Sequence, residues 1–231
     1  MACQGVSLAA REPASLLTIA APCQSGVQTA YLRHYSLADL PRYSAAVSMH
    51  RGRVLVGAGC QMLDHPLYDE SAASVLLAYD HGLLRPAVAV RWLHSGATGY
   101  SDDSTLQLDA GVQGALRLLT WQVSVSNITQ ARHLDEPLPM RINWELGHQI
   151  TPRGLLAVAL EKEEGFDFSF RLASRYQLHS MLTLVAGYQY QPNRLGAGFC
   201  CSIRSFEVSY GFRTHQQLDL THCLGVSYAL P

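Results

Sequence analysis

Charge is scarce in this chain: 15% of its 231 residues are Asp, Glu, Lys or Arg, against roughly 25% in ordinary soluble domains. The formal net charge is −1, and without a basic excess nucleic acid is excluded as a partner. Long apolar runs are also lacking. The longest, near residues 16–22, is interrupted by Thr18 and Pro22, far short of the ~20 residues that a membrane helix needs. A chain of this kind that crosses a membrane must do so as a closed barrel.

Site motifs are missing as well. None of the six cysteines forms a CxxC pair, and Cys200 and Cys201 are adjacent, so along a strand they point to opposite faces. They read as small apolar fillers rather than zinc ligands. The ten histidines contain no HExxH or HxH spacing; His133, His148, His179 and His215 fall near expected turns or strand ends. Ser101-Asp102-Asp103 lacks the Gly and distal Glu of a calcium loop and reads as a solvated loop. There is no nucleophile elbow, P-loop or dinucleotide fingerprint, and Gly57-Ala58-Gly59 sits inside a strand rather than before a helix. No metal, no cofactor and no enzymatic activity are therefore expected. Residues 1–30 show no secretory signal, so for an exported protein the start is missing or misassigned.

What the chain has in quantity is alternation. Leu106, Leu108, Ala110 and Val112 alternate with Thr105, Gln107, Asp109, Gly111 and Gln113. Leu119, Trp121, Val123 and Val125 alternate with Thr120, Gln122, Ser124 and Ser126, and Ile142, Trp144 and Leu146 with Arg141, Asn143 and Glu145. Phe166, Phe168, Phe170 and Leu172, then Phe206, Val208, Tyr210 and Phe212, repeat the pattern. Successive side chains of a strand point to opposite faces, so each run carries one apolar and one polar surface. A soluble sandwich would share that pattern, and a soluble all-β binding protein is the reading from another class. The runs are about ten residues long, however, the length of a tilted transmembrane strand rather than of a soluble one. Tight joins at Arg51-Gly52, Asp80-His81-Gly82, Gly114-Ala115, Thr151-Pro152-Arg153 and Leu178-His179 alternate with longer, more polar connections at 63–70, 95–103, 129–138 and 161–165. Outer-membrane barrels alternate short turns and long loops in this way.

The fold class predicted is all-β: an antiparallel up-and-down transmembrane β-barrel of about 14 strands with a short N-terminal helical plug segment. Strands are expected near 28–35, 43–50, 53–62, 71–80, 84–94, 104–113, 117–127, 139–149, 154–162, 166–177, 180–190, 195–203, 205–214 and 219–230, and a helix within 12–20. Residues 1–27 form the plug-like segment and 28–231 the barrel. Parity assigns Arg91, Gln107, Asp109, Gln113, Gln122, Arg141, Asn143, Glu145, Asp167, Arg171, Arg175, Glu207 and Arg213 to the lumen. Trp92, Trp121, Trp144, Tyr188, Tyr190, Phe206, Tyr210, Phe212 and Tyr228 go to the lipid-facing side and its aromatic girdle. Arginines and acids in similar number imply a satisfied internal network rather than an ion-selective pore.

Four stretches resemble the PorV/PorQ-type outer-membrane barrels, relatives of the FadL fatty-acid transporters, several of which serve type IX secretion. Residues 5–22 are similar to that family's N-terminal pattern, with Ala20-Ala21-Pro22 where it has Asn-Pro-Ala. LDAGVQGAL and the following VSVSNIT resemble its D-x-G strand and next strand, with Asp109, Gly111, Asn127 and Ile128 at the matching positions and Thr129 in place of a glycine. LVAGYQYQP resembles its R-x-G-Y strand, with Val185 in place of the arginine. The last 26 or so residues resemble its terminal hairpin, with His215, Leu218, Thr221, His222 and Tyr228 at the matching positions. The resemblance implies a fourteen-stranded barrel with its N-terminal segment in the lumen, located in the outer membrane. Its function would be transport or protein secretion, with outer-membrane lipid and secretion components or cargo as partners. A FadL-like uptake channel for hydrophobic small molecules is the alternative within the same fold.

Overall fold

The structure, a computed structural model, describes residues 25–37, 40–99, 102–133 and 136–230. Every long alternating run holds a strand, although the run from Phe166 becomes one only at Ser169, and each strand of the wall pairs with the next. They are β1 (Gly26–Arg33), β2 (Pro41–Arg51), β3 (Val54–His65), β4 (Tyr68–Tyr79), β5 (Leu84–Ala97), β6 (Asp103–Leu116) and β7 (Leu119–Ser126). Two-residue strands β8 (Arg132–His133) and β9 (Glu136–Pro137) form a small hairpin of their own. The series resumes with β10 (Arg141–Thr151), β11 (Gly154–Glu163), β12 (Ser169–His179), β13 (Leu182–Tyr190), β14 (Arg194–Ile203), β15 (Phe206–Arg213) and β16 (Thr221–Ala229).

All strands but β8 and β9 close into one antiparallel barrel of fourteen strands. Closure is made by β1 against β16, in register from Gly26↔Ala229 to Arg33↔His222. A closed barrel leaves no strand edge and satisfies the backbone internally. No described helix is long and apolar enough to cross a membrane. The barrel is an all-β meander, as alternation predicts, and its first strand starts at Gly26, two residues before the expected boundary. The helix expected within 12–20 lies outside the described residues.

One end of the barrel carries tight turns, at Gly52-Arg53, Arg117-Leu118, Pro152-Arg153, Ser180-Met181 and Arg204-Ser205. The other carries the longer connections, of which 127–140 is the longest. Several expected boundaries shift, among them the connection expected at 161–165, which falls at 164–168 because β11 pairs with β10 out to Glu163. The join placed at Gly114-Ala115 falls at Arg117-Leu118, with Arg117 at φ 50°, and Gly114 stays in β6 opposite Trp121. A Cβ at Gly114 would lie 2.7 Å from the indole, so this glycine makes room for a cross-strand aromatic rather than for a turn. The join at Leu178-His179 moves to Ser180-Met181, past an irregularity in pairing between Gln177 and His179. The long connection expected at 63–70 is the two-residue turn Pro66-Leu67, because Leu63↔Glu70 and His65↔Tyr68 pair across it. Polar residues at a strand end there mark strands that outrun the apolar band. Asp103, expected in a solvated loop, opens β6 instead, paired with Ser95.

The outer face carries the apolar side chains. Val56 is 47% exposed, Leu106 61% and Leu195 58%, a surface that only an apolar medium can cover. The inner face is polar around most of the wall and turns apolar on β3–β5 toward the tight turns. Leu55, Leu76, Ala78, Ala87 and Ala89 form a buried inner-wall cluster on β3–β5. Neighbouring Val56 and Leu77 are exposed on the outer face, so these strands are apolar on both sides.

Candidate functional site

Register places the expected lumen residues on the inner wall, except Asp167, which lies in the connection before β12 and is exposed. Gln107, Asp109, Gln122, Asn143 and Arg171 are buried polar residues, each flanked by outward apolar neighbours. The wall is held by opposite charges on adjacent strands. Arg171 donates to Glu161 Oε2 at 2.7 Å and to Asn143 Oδ1 at 2.8 Å, joining β12, β11 and β10. Arg141 lies 2.7 Å from Glu163 Oε2, Arg42 2.9 Å from Glu70 Oε2 and Arg91 3.2 Å from Asp109 Oδ2. Near the turn end Arg85 pairs with Asp80 at 2.8 Å, and this guanidinium holds the Asp80 carboxyl below its usual range.

Toward the long connections these residues surround a cavity of about 530 Å³. It brings together Arg91, Gln107, Arg141, Asn143, Asp167, Arg171 and Arg213 of the expected set, and adds Arg42, Gln61, Ser124, Glu161, Glu163, Gln189 and Arg194. Asp109 stands behind it through Arg91 and Gln107. Gln113, Glu145, Arg175 and Glu207 are on the same inner face but outside that cavity. Beside it His215, on the connection after β15, is pushed down to about 4 by burial first and then by Arg194, Arg213 and His34. Tyr35 packs edge-on against its ring at 4.5 Å. Among the described residues no group of three His, Cys, Asp or Glu could hold a metal ion.

The mouth is fixed by two residues that the sequence singles out, Asp109 and Asn127. Asp109 accepts hydrogen bonds from Arg91 (3.2 Å), Gln107 Nε2 (3.0 Å) and the Asn127 backbone N–H (2.9 Å). Asn127 is 2% exposed and adopts φ 57°, a left-handed geometry that Asn tolerates better than most residues. Its amide donates to the Leu138 carbonyl at 2.7 Å, and its Oδ1 accepts from the Ala131 N–H at 2.9 Å. The Asn127 side chain thus ties the two ends of the 127–140 connection to each other, and its backbone N–H ties them to Asp109 of β6. The hairpin between them turns inward: His133 reaches Ser95 and Asp103, both on the inner wall, and so lies across the mouth. No sequence signal locates His133, because its partners are far away along the chain. Glu161 and Glu163 were legible by parity, alternating with Leu160 and Lys162.

On the outer face Trp92, Trp144, Tyr188, Tyr190, Phe206 and Tyr228 are exposed, and Trp121, Tyr210 and Phe212 are half-exposed. Trp92, Trp144, Tyr188 and Tyr190 lie toward the long connections, and Trp121, Phe206 and Tyr228 toward the tight turns, two separate bands on the outer wall. Tyr210 also bonds outward to His222 Nδ1 at 2.8 Å.

Known architectures match the barrel, whereas known sequences do not. No protein-family model matches the chain, and no curated protein does. Among solved structures it is similar to a mutant of the Rh. blastica porin, with a TM-score of 0.53 and 8% identity over 89% of this chain and 99% of that one. It is likewise similar to the KdgM porin, with a TM-score of 0.53 and 6% identity over the same shares. The fold is porin-like. At such identities the likeness is one of architecture, and the chemistry has to come from the side chains above.

Proposed function

We propose that the chain is an outer-membrane transport barrel that passes small polar solutes through a mouth narrowed by residues 127–140. The observation that carries this is the polar cavity of about 530 Å³ enclosed by a barrel whose outer face is apolar. Outer-membrane lipid is the surrounding partner, and no nucleic acid is involved. The polar lining favours hydrophilic solutes over the hydrophobic ligands of a FadL-like uptake channel, and the apolar outer face argues against a soluble binding protein. The segment before β1 remains a candidate for a plug: β1 begins at the turn end, where the inner-wall cluster of Leu55, Leu76 and Ala78 offers an apolar seat.

The test is conductance of the purified chain in planar bilayers. Small single-channel steps are expected, rising when residues 129–138 are deleted and again when 1–24 are deleted. Recovery as a soluble, detergent-independent monomer would end the reading. A PorV/PorQ-type role in secretion is the second reading, and it is favoured by one observation. Asp109 and Asn127, at the positions that carry the resemblance, are the two residues that shape the mouth. Absence of conductance together with co-purification of cell-surface cargo would favour it.

A further inference from the structure

Three side chains from separate parts of the chain meet at the mouth in an order that a loop tether does not require. Ser95 on β5 and Asp103 on β6 are cross-strand partners on the inner face, and His133 of β8 lies over both. Ser95 Oγ is 2.6 Å from His133 Nε2. Asp103 Oδ2 is 3.0 Å from His133 Nδ1 but off the line of a hydrogen bond, and that nitrogen makes none. A carboxylate on one ring nitrogen and a hydroxyl on the other is the arrangement of acyl transfer: the carboxylate fixes the tautomer, and the free nitrogen takes the hydroxyl proton. Catalytic contacts in an unliganded site are often poorly aligned until substrate binds.

We propose that Ser95, His133 and Asp103 form an acyl-transfer site that hydrolyses small water-soluble esters, an activity beyond transport. Ser95 is on the inner face and 2% exposed beneath His133, so a substrate comes to it from the lumen side and not from the acyl chains around the outer wall. Ser95 Oγ bonds to the ester carbonyl carbon as its proton passes to His133 Nε2, and the carbonyl oxygen takes the electron pair. Collapse of that oxyanion expels the alkoxide, which leaves as the alcohol with the proton from His133. Water then adds to the acyl-serine, giving its proton to His133, and the acid leaves as Ser95 recovers its own. Tyr68 lies beside Ser95, but its O–H donates to Glu70 Oε1 at 2.6 Å, so it serves the oxyanion only by exchanging that carboxylate for the substrate. Asp103 acts through His133 and is a positioning residue.

A small fluorophosphonate tests this on the full chain folded in lipid vesicles. Ser95 Oγ would displace fluoride from phosphorus, leaving its proton on His133, and the adduct is located by peptide mass. We expect labelling at Ser95, none in Ser95→Ala, and a rate lower by on the order of 100-fold in His133→Gln. Asp103→Asn should lower the labelling rate and Asp103→Glu should restore part of it, a rescue that a merely structural role would not give. A heat-dependent shift in gel mobility establishes that each variant is folded. If Ser95→Ala does not fold, His133→Gln in the hairpin decides the matter. A folded parent protein without an adduct, an adduct on another serine, or labelling indifferent to His133 would overturn the proposal. Conductance of the same preparation separates the two readings: a conducting barrel without an adduct removes the ester site alone, and an adduct on a non-conducting barrel removes the pore alone.

Discussion

Removing the Asp109 carboxylate should loosen the barrel and its mouth together. Its side chain is 7% exposed and that of Arg91 is 20% exposed, so Asp109→Ala strands a largely buried guanidinium along with the Asn127 N–H and the Gln107 amide. Deleting one partner of a buried ion pair costs about 3–5 kcal/mol, most of it the penalty on the charge left behind. Asp109→Asn keeps an acceptor on Oδ1 for the Asn127 N–H and loses only the charge opposite Arg91, and should cost about 1–2 kcal/mol. Urea titration of the barrel in lipid vesicles, followed by the loss of its heat-dependent gel shift, measures both. Because the Asn127 N–H anchors the 127–140 connection, trypsin cleavage after exposed Arg132 should accelerate in Asp109→Ala and much less in Asp109→Asn. Stability of Asp109→Ala within about 0.5 kcal/mol of the parent, with unchanged cleavage, would refute the hub.

Three further outcomes follow from particular contacts. Val208, 44% exposed on the outer face, should cost roughly 2 kcal/mol as Val208→Arg in lipid. Glu207→Gln, inward and bonded by Ser202 at 3.0 Å, should cost less, and the reverse ranking in refolding assays would move the register of β15 by one. Gly114→Val should displace the Trp121 indole, destabilise the barrel by about 1–3 kcal/mol and shift Trp121 emission; unchanged emission would show that the ring has other room. His215 is held neutral, its pKa pushed down to about 4 by burial and by Arg194, Arg213 and His34. Its contribution is therefore complete above the ordinary value of 6.5 and falls away as pH drops from there toward about 4. Comparing stability at pH 7.5 and pH 5 should show a loss that His215→Gln reduces.

Strands were legible in this sequence because an apolar outer wall and a polar inner wall impose a period of two on nearly every one of them. Where the inner wall turns apolar, at Leu55, Leu76 and Ala87, the period fades. β3–β5 were then found by their length and bounding turns rather than by their faces. Polar strand ends deceive in the opposite sense: Glu70 and Asp103 read as loop residues because a strand that leaves the apolar band no longer needs apolar partners. Parity also fixes the face of a residue without fixing its height along the barrel. Arg171 and Arg175 share a face of β12, yet only Arg171 reaches the mouth cavity, where Asn143 and Glu161 meet it from two neighbouring strands. Height depends on how each strand is staggered against the next, and that is set by turn lengths and pairing offsets summed around the wall. The Ser95–His133–Asp103 contact lies further still from local pattern. It needs the β5–β6 register, the inward face at both positions and a hairpin folded over them, and no window of sequence contains all three.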